Sequence, residues 1–419
     1  MNSAQQTVAS ARRQVAPRRL PLYAFFTGSV ISYVGDVLTL LAIPWFVLQT
    51  TGSVTRTGIT AFFSTLPMIL SAFFGSALVD HLGYKRTSVI GDIASCIAVA
   101  LIPLLYDTVG LAFWQLLALV FLGGLLKSPG ITARASMTPD LAEMARMPLE
   151  RANALSDGLS RVSRFIGAPL AGVLIAVIGT SNLLWFDALS FALSALLIGL
   201  AVPATPPLVK IGEHAESYLA QLWEGVRFIR RDALIMSIIV VVLVTNLLDA
   251  ALFSVIQPAY IKAVFHSAIP LGLLVASLGG AGFMGTLIYS AVGHRLPRRS
   301  TLGITYTIGG ALRFWVLLIP ILPVLIGWNI IAGLAIGAIN PLLDTVIQQR
   351  APVEMRARVF GTLSAGVLVG VPIGTFASGY LAAWIGLRLS LLVMGAIYMA
   401  ATLSLLVNPA LKALDHRSI

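Results

Sequence analysis

The chain has 419 residues, of which 58% are hydrophobic and 11% are charged. Soluble globular proteins carry about 25% charged residues, so this composition excludes a soluble protein and indicates a membrane protein. The net charge of +11 does not indicate nucleic-acid binding, because the basic residues cluster at alternate ends of the apolar segments. This alternation predicts an even number of membrane spans and places both chain termini in the cytoplasm.

The apolar segments are continuous, and each is about as long as a helix that crosses a bilayer core of about 30 Å. Lipid offers the backbone no hydrogen-bond partners, so continuous apolar segments predict helices. Twelve spans are predicted at residues 20–48, 55–79, 87–106, 110–136, 153–178, 182–202, 234–263, 269–292, 300–319, 322–347, 357–384 and 388–407. The predicted fold class is therefore an all-α membrane protein.

The longest polar connection, residues 203–233, divides these spans into an N-terminal bundle (20–202) and a C-terminal bundle (234–407) of six helices each. Apolar and charged residues alternate in this connection at helical spacing, which predicts a cytoplasmic linker with an amphipathic helix on the membrane surface. Residues 1–19 are predicted to be a disordered basic segment, and residues 408–419 a cytoplasmic tail.

An internal repeat relates the two bundles. Four pairs recur at an offset of 213 residues: Asp36 and Asp249, Lys85 and Arg298, Arg86 and Arg299, and Pro139 and Pro352. After the loop that follows the fourth span of each half the offset becomes 207 residues, as in Arg151 and Arg358, Gly172 and Gly379, and Gly179 and Gly386. Two consistent registers predict two pseudo-symmetric bundles, an architecture typical of membrane transporters.

The connection between the second and third spans carries a recognisable motif. Its residues are Gly75, Asp80, Gly83, Lys85 and Arg86. They resemble the G-x-x-x-D-x-x-G-[RK]-[RK] signature of the major facilitator superfamily. In that family the motif is part of a cytoplasmic latch, so the resemblance implies a gating role for these residues. The second copy has Gly293 in place of the acid, so any such latch is asymmetric. Asp92, near Arg86 in the sequence, is predicted to be a latch partner.

The fifth span contains a second motif, with Gly167, Pro169 and Gly172. It is similar to the G-P-x-x-G-G antiporter signature, although Ala168 and Val173 replace two of the glycines of that signature. Proline and glycine can bend a helix and let another helix approach closely. A packing role without further function explains the motif equally well.

Further strings resemble the drug/proton antiporter branch of the superfamily, of the macrolide-efflux and enterobactin-exporter type. They include Gly35-Asp36, Arg151-Ala152-Asn153, Phe186-Asp187-Ala188 and Gly225-Val226-Arg227-Phe228. This resemblance extends over nearly the whole chain. It implies the major facilitator fold, with a central cavity that opens alternately to the two sides of the membrane.

Asp36 and Asp249 are the principal candidates for proton coupling. A low-dielectric environment favours the neutral carboxyl, so an acid in a span can take up a proton on one side and release it on the other. Helical spacing places Ser32 and Tyr33 on the face of Asp36, and Asn246 and Phe253 on the face of Asp249. Each acid can equally be a structural group that is bonded to a neighbouring helix.

Several other charged residues lie within predicted spans. Lys127 is a candidate counter-ion near the cavity, Asp344 is a weaker cavity candidate, and Arg313 has no evident partner in the sequence. Asp157 and Arg161 are four residues apart, so they can neutralise each other. Asp187 is interpreted as a helix cap at the outer end of the sixth span.

The predicted function is proton-coupled export of small amphiphilic or drug-like molecules. No phosphate-binding loop or metal-ligand spacing is present, so neither an enzyme nor a metal or organic cofactor is predicted. The expected partners are a small-molecule substrate and membrane lipid, without nucleic acid, and the protein is expected to be a monomer in a bacterial inner membrane. Two alternatives stay open: an exporter of an anionic natural product such as a siderophore, and a non-transporting membrane scaffold or sensor.

Overall fold

The computed structural model describes residues 18–203 and 214–408, so the predictions for most of the N-terminal segment and nearly all of the C-terminal tail lie outside the described residues. Within the helices, the side chains at 72–74, 76, 77, 80, 214–222, 353, 354 and 357 also lie outside the described part. The chain that is described is helical apart from short connections, which confirms the all-α prediction.

The helices of the N-terminal half are α1 (Leu20–Thr51), α2 (Val54–Leu82), α3 (Tyr84–Thr108), α4 (Phe113–Ala145) and a long run, Leu149–Ala201, that contains α5 and α6. The linker helix (His214–Arg231) follows. The C-terminal half contains α7 (Ala233–Phe265), α8 (Ile269–Val292), α9 (segments Arg298–Tyr306, Thr307–Ala311 and Leu312–Val316), α10 (Leu322–Arg350), α11 (Val353–Ile385) and α12 (Leu387–Val407).

Nine helices of the described chain are long and apolar enough to cross a membrane, and one of them, Leu149–Ala201, contains two spans. Together with α2 and α9 they make up the predicted twelve. The break between α5 and α6 is at Gly179, with a φ of 82°, and the turn between α11 and α12 is at Gly386, with a φ of 80°. Residues other than glycine rarely adopt a positive φ, so both turns require glycine. The two glycines are 207 residues apart, which is the offset of the internal repeat.

Packing within each half follows the chain order only in part. In the N-terminal half α1 packs against α5 and α6, α3 packs against α4 and α6, and α2 packs against α4. In the C-terminal half the main contacts are α8 with α10, α7 with α11 and α9 with α12. The two halves meet chiefly through α2 with α11 and α5 with α8.

Because the spans alternate in direction, α1 begins and α12 ends on one face, which we call the terminal face. The far face is the opposite one, where α1 meets α2. The halves are in close contact towards the far face, since a methyl group at Gly58 would lie 2.8 Å from the Gly379 Cα atom. A methyl group at Gly172 would lie 2.8 Å from the carbonyl oxygen of Ala268. Lys262 of α7 also donates a hydrogen bond to the Leu48 carbonyl at the end of α1.

Candidate functional site

A cavity of about 360 Å³ lies among α1, α2, α3 and α4, with contributions from α6 and α7. Aliphatic side chains form much of its wall, and α2 adds a stripe of hydroxyl groups at Thr57, Thr60 and Ser64. These three hydroxyls donate to carbonyl groups one turn earlier in their own helix. Because the hydroxyl protons are used in these bonds, the hydroxyl oxygen atoms remain as hydrogen-bond acceptors for a bound molecule.

Asp36 and Lys127 form an ion pair in the wall of this cavity. They come from α1 and α4, and each keeps 27% of its side chain exposed. The Lys127 ammonium also lies 4.9 Å from the centroid of the Phe191 ring, a cation–π distance. The structure thus brings together two residues that the sequence analysis predicted for the site.

The neighbours of Asp36 on α1 have different surroundings. Ser32 is buried and Tyr33 is half-buried, and neither lines the described cavity. Gly35 lies where α1 approaches α6 most closely, because a methyl group there would overlap the side chains of Ser190 and Asp187.

Asp187 corrects the sequence interpretation. It is fully buried in α6, which begins at residue 180 and not at the predicted 182, so Asp187 lies two turns into the helix and caps no helix end. Its carboxylate accepts a hydrogen bond from Thr39, and the Ser190 hydroxyl lies 3.3 Å from its other oxygen. The predicted span boundary misplaced it, although an acid inside an apolar helix was itself a signal.

The second predicted acid, Asp249, lies outside the residues that line the cavity. Arg313 of α9 is 3.7 Å from one of its oxygens, and the Tyr398 hydroxyl of α12 donates to the other at 3.2 Å. The Arg313 guanidinium also lies 4.6 Å from the centroid of the Phe253 ring. Asn246 donates to the Val242 carbonyl of its own helix. Arg313 had no evident partner in the sequence, and the structure provides Asp249.

π turns interrupt the two helices that carry this pair. One turn, Leu252–Ile256, begins three residues after Asp249 in α7, and the other, Thr307–Ala311, ends two residues before Arg313 in α9. Each π turn adds one residue to a helical turn, and such turns are frequent at functional sites. Both π turns therefore lie within one helical turn of the Asp249–Arg313 pair.

Asp92 has a different partner from the one predicted. It forms a buried ion pair with Arg134 of α4, whose guanidinium also donates to Ser88 and Ser194, each at 3.0 Å. These contacts lie within the N-terminal half, so they do not join the two halves as a latch would. The sequence analysis did not single out Arg134, although its spacing of seven residues from Lys127 places both bases on one face of α4.

The remaining predicted residues are dispersed. Asp344 is exposed on α10 and does not line the described cavity. In the α2–α3 turn Gly83 has a φ of 78°, Arg86 is exposed and Lys85 is half-buried, while Gly75 packs near Pro129. The side chain of Asp80 lies outside the described part of the chain. Of the antiporter-like motif, Gly167 faces Val37 of α1, Pro169 lies within α5 and Gly172 faces α8.

The chain has twelve helices in two halves that an internal repeat relates, and it encloses a cavity with an ion pair in its wall. These features define a secondary membrane transporter. The chain belongs to the Major Facilitator Superfamily, whose family model matches residues 25–250 and 239–417. This membership confirms the predicted family and excludes an enzyme.

Comparisons with individual proteins agree. The chain is 30% identical to the multidrug efflux pump Tap of Mycolicibacterium fortuitum, over 96% of this chain and 98% of that protein. It is 30% identical to the enterobactin exporter EntS of Shigella boydii, over 86% of this chain and 85% of that protein. The crystal structure of the nucleoside transporter NupG superposes with a TM-score of 0.75 at 12% identity, covering 92% of this chain and 98% of that chain. This likeness confirms the predicted fold.

Proposed function

We propose that the protein exports small amphiphilic, drug-like molecules from a bacterial cytoplasm in exchange for protons. The observation that carries this proposal is the Asp36–Lys127 ion pair in the wall of an otherwise apolar and hydroxyl-rich cavity. Such a wall suits cargo that is bound by its apolar area and oriented by a few polar groups. The similarity to multidrug efflux pumps supports the same class of cargo.

Protonation of Asp36 would remove one charge of the pair and release the Lys127 ammonium. A cationic cargo would compete with Lys127 for the Asp36 carboxylate, so cargo and proton would exclude each other at one group. This exclusion is the elementary requirement for antiport, because each bound species must leave before the other binds.

Alternating access would couple this exchange to the membrane. The basic residues concentrate at the terminal face, which supports assigning this face, with both termini, to the cytoplasmic side. Contacts between Gly58 and Gly379 and between Gly172 and Gly272 close the halves towards the far face. The conformation thus suits loading from the cytoplasm.

The test is export of the lipophilic cation ethidium from cells that express Asp36→Asn. Asparagine keeps the shape of the carboxyl but cannot exchange a proton, so gradient-driven export should fall to the level of cells without the transporter. Asp107→Asn is the matched control, because Asp107 is exposed at the end of α3 and bonded to Ser181, away from the cavity. It should export normally.

Two outcomes would contradict the proposal. Full export by Asp36→Asn would remove this acid from the coupling. Equal ethidium accumulation with and without the wild-type protein, in the presence and absence of a protonophore, would favour a scaffold or sensor.

Lys127 supports a second candidate, export of an anionic natural product, because an anion would replace Asp36 at the ammonium group. The similarity to the enterobactin exporter supports the same class of cargo. In this case the anionic dye calcein, and not ethidium, should be exported, and Lys127→Met should abolish that export.

A further inference from the structure

Asp187 is a buried acid that the proposed exchange at Asp36 does not use. Its side chain is fully buried, and its direct partners are the neutral hydroxyls of Thr39 and Ser190. Among the described side chains, no cation forms an ion pair with it. A buried carboxylate without a cationic partner is costly, so its charge state depends on the charges around it.

Those charges can be assigned helix by helix. Asp36 of α1 lies next to Gly35, which approaches the Asp187 side chain, and Lys127 of α4 lies 4.9 Å from the ring of Phe191, one turn after Asp187. On α3, Cys96 faces Asp187, while Asp92 is already neutralised by Arg134. The charged residues of α5 are all exposed, namely Glu150, Arg151, Asp157, Arg161 and Arg164. Asp187 therefore belongs to one cluster that contains two carboxyl groups and one ammonium group.

The charge balance of this cluster determines its proton content. If Asp36 and Asp187 were both ionised, Lys127 would neutralise only one of them and leave a net charge of −1 beside the cavity. One proton on either carboxyl group would remove this net charge, so the two acids can hold one proton between them. The empty cluster is neutral when it holds one proton.

Thr39 connects the buried acid to the cavity. Its hydroxyl bonds to Asp187, and the same residue lines the cavity three positions after Asp36. A hydroxyl group can both donate and accept. The Thr39 hydroxyl can therefore accept the Asp187 proton at its oxygen while its own proton passes to water in the cavity. Asp187 becomes a carboxylate, and the proton leaves on the water molecule.

We propose that Asp187 and Asp36 together form the proton-binding site, sharing one proton beside Lys127, and that a cationic cargo replaces this proton. The inference rests on the proposed function, and it specifies which group releases the proton and which charge of cargo is exchanged. Asp187 acts through Thr39 and Lys127, without direct contact with the cargo.

The experiment measures proton release by the purified full-length protein. Tetraphenylphosphonium is titrated calorimetrically in two buffers of different ionisation enthalpy, which gives the number of protons released per cation bound. The wild-type protein should release about one proton, so its affinity should rise about tenfold per pH unit while the cluster holds that proton. Asp187→Asn should bind the cation with no proton release and no pH dependence.

Asparagine can keep the hydrogen bonds of a protonated Asp187, so a purely structural acid would leave the proton count of this variant unchanged. A count of about one proton for Asp187→Asn would therefore overturn the inference and leave Asp36 as the sole exchanging acid. If the wild-type protein binds the cation without releasing a proton, both this inference and the proposed function fail.

Thr39→Val provides a second measurement should Asp187→Asn fold poorly. Valine keeps the shape of threonine but removes the hydroxyl, so cation-driven proton exchange in vesicles should slow by about tenfold or more, while the equilibrium proton count stays unchanged. An unchanged exchange rate would contradict the route through Thr39. Thr108→Val, at an exposed threonine that donates to the Leu104 carbonyl near the end of α3 and lies outside the cavity lining, is the matched control.

Discussion

The ion pair between Arg134 and Asp92 leaves only 6% and 7% of the two side chains exposed. Hydrogen bonds to Ser88 and Ser194 place the guanidinium at the contact of α3, α4 and α6. In such a position the cost of removing one charge exceeds the value of the pair itself, because the remaining charge stays buried without a partner. This difference can be measured.

Arg134→Gln is expected to lower the free energy of unfolding by about 3–5 kcal/mol, since it leaves Asp92 uncompensated. The double variant Asp92→Asn/Arg134→Gln removes both charges and should recover most of that loss. Denaturant titration in mixed micelles measures both. Arg164→Gln, at an exposed arginine that donates to Ser160, is the control and should change stability little. Additive losses in the double variant would contradict the argument.

At the scale of single residues, the sequence predicted which side chains are unusual but not which of them meet. Asp36, Lys127 and Asp249 were identifiable because charges inside apolar spans are costly. The partners of Asp249 and Asp92 were not identifiable, because Arg313 and Arg134 lie on other helices and helical spacing relates only residues of one helix.

At the scale of whole helices, the linker helix is attached to α11 by two different contacts. Glu224 forms an ion pair with Arg358, and these side chains keep 52% and 37% of their surface exposed. Gly225 lies against the α11 backbone, where a methyl group would be 2.7 Å from the Arg358 carbonyl oxygen. Surface ion pairs contribute about 0–1 kcal/mol, whereas overpacking a close contact costs about 1–3 kcal/mol. A side chain added at Gly225 therefore disturbs the attachment more than loss of the ion pair does.

Gly225→Val is accordingly expected to detach the linker helix, while Glu224→Gln leaves it in place. Detachment exposes the peptide bonds after Arg227 and Arg230, so trypsin should cleave the glycine variant faster. Gly361→Val on α11 is the matched control, because a methyl group there meets nothing within 4 Å. If Glu224→Gln accelerated cleavage more than Gly225→Val, the ion pair would be the main attachment.

The positions of the helices were largely predictable because hydrophobic length and turn chemistry are local properties. Gly179 and Gly386 marked equivalent turns in the sequence, and both have positive φ in the structure. The π turn in α9 depends on a residue that is distant in the sequence, because a methyl group at Gly310 would overlap the Tyr398 ring of α12.

At the scale of the molecule, the repeat predicts the fold but not the chemistry of the second half. The counterpart of Lys127 is Asn340 by the offset of 213 residues, and Ile339 by the offset of 212 that relates Pro129 to Pro341. Neither residue carries a charge that could pair with Asp249. The base comes instead from Arg313 on α9. The two halves thus share one architecture, while only the first has its ion pair in the described cavity.

Closure of the far face involves the contact of α5 with α8 at Gly172 and Gly272. Gly172→Leu places a side chain where a methyl group already lies 2.8 Å from the Ala268 carbonyl oxygen. Overpacking of about 1–3 kcal/mol would shift the equilibrium away from this closed conformation by about 5- to 150-fold.

Spin labels at the exposed positions Val109 and Trp384, in a Cys96→Ala background, should then report longer distances between the halves. Gly279→Leu is the control and should leave the distances unchanged, because a methyl group at Gly279 meets nothing within 4 Å. Equal shifts in both variants would show that the α5–α8 contact does not control closure.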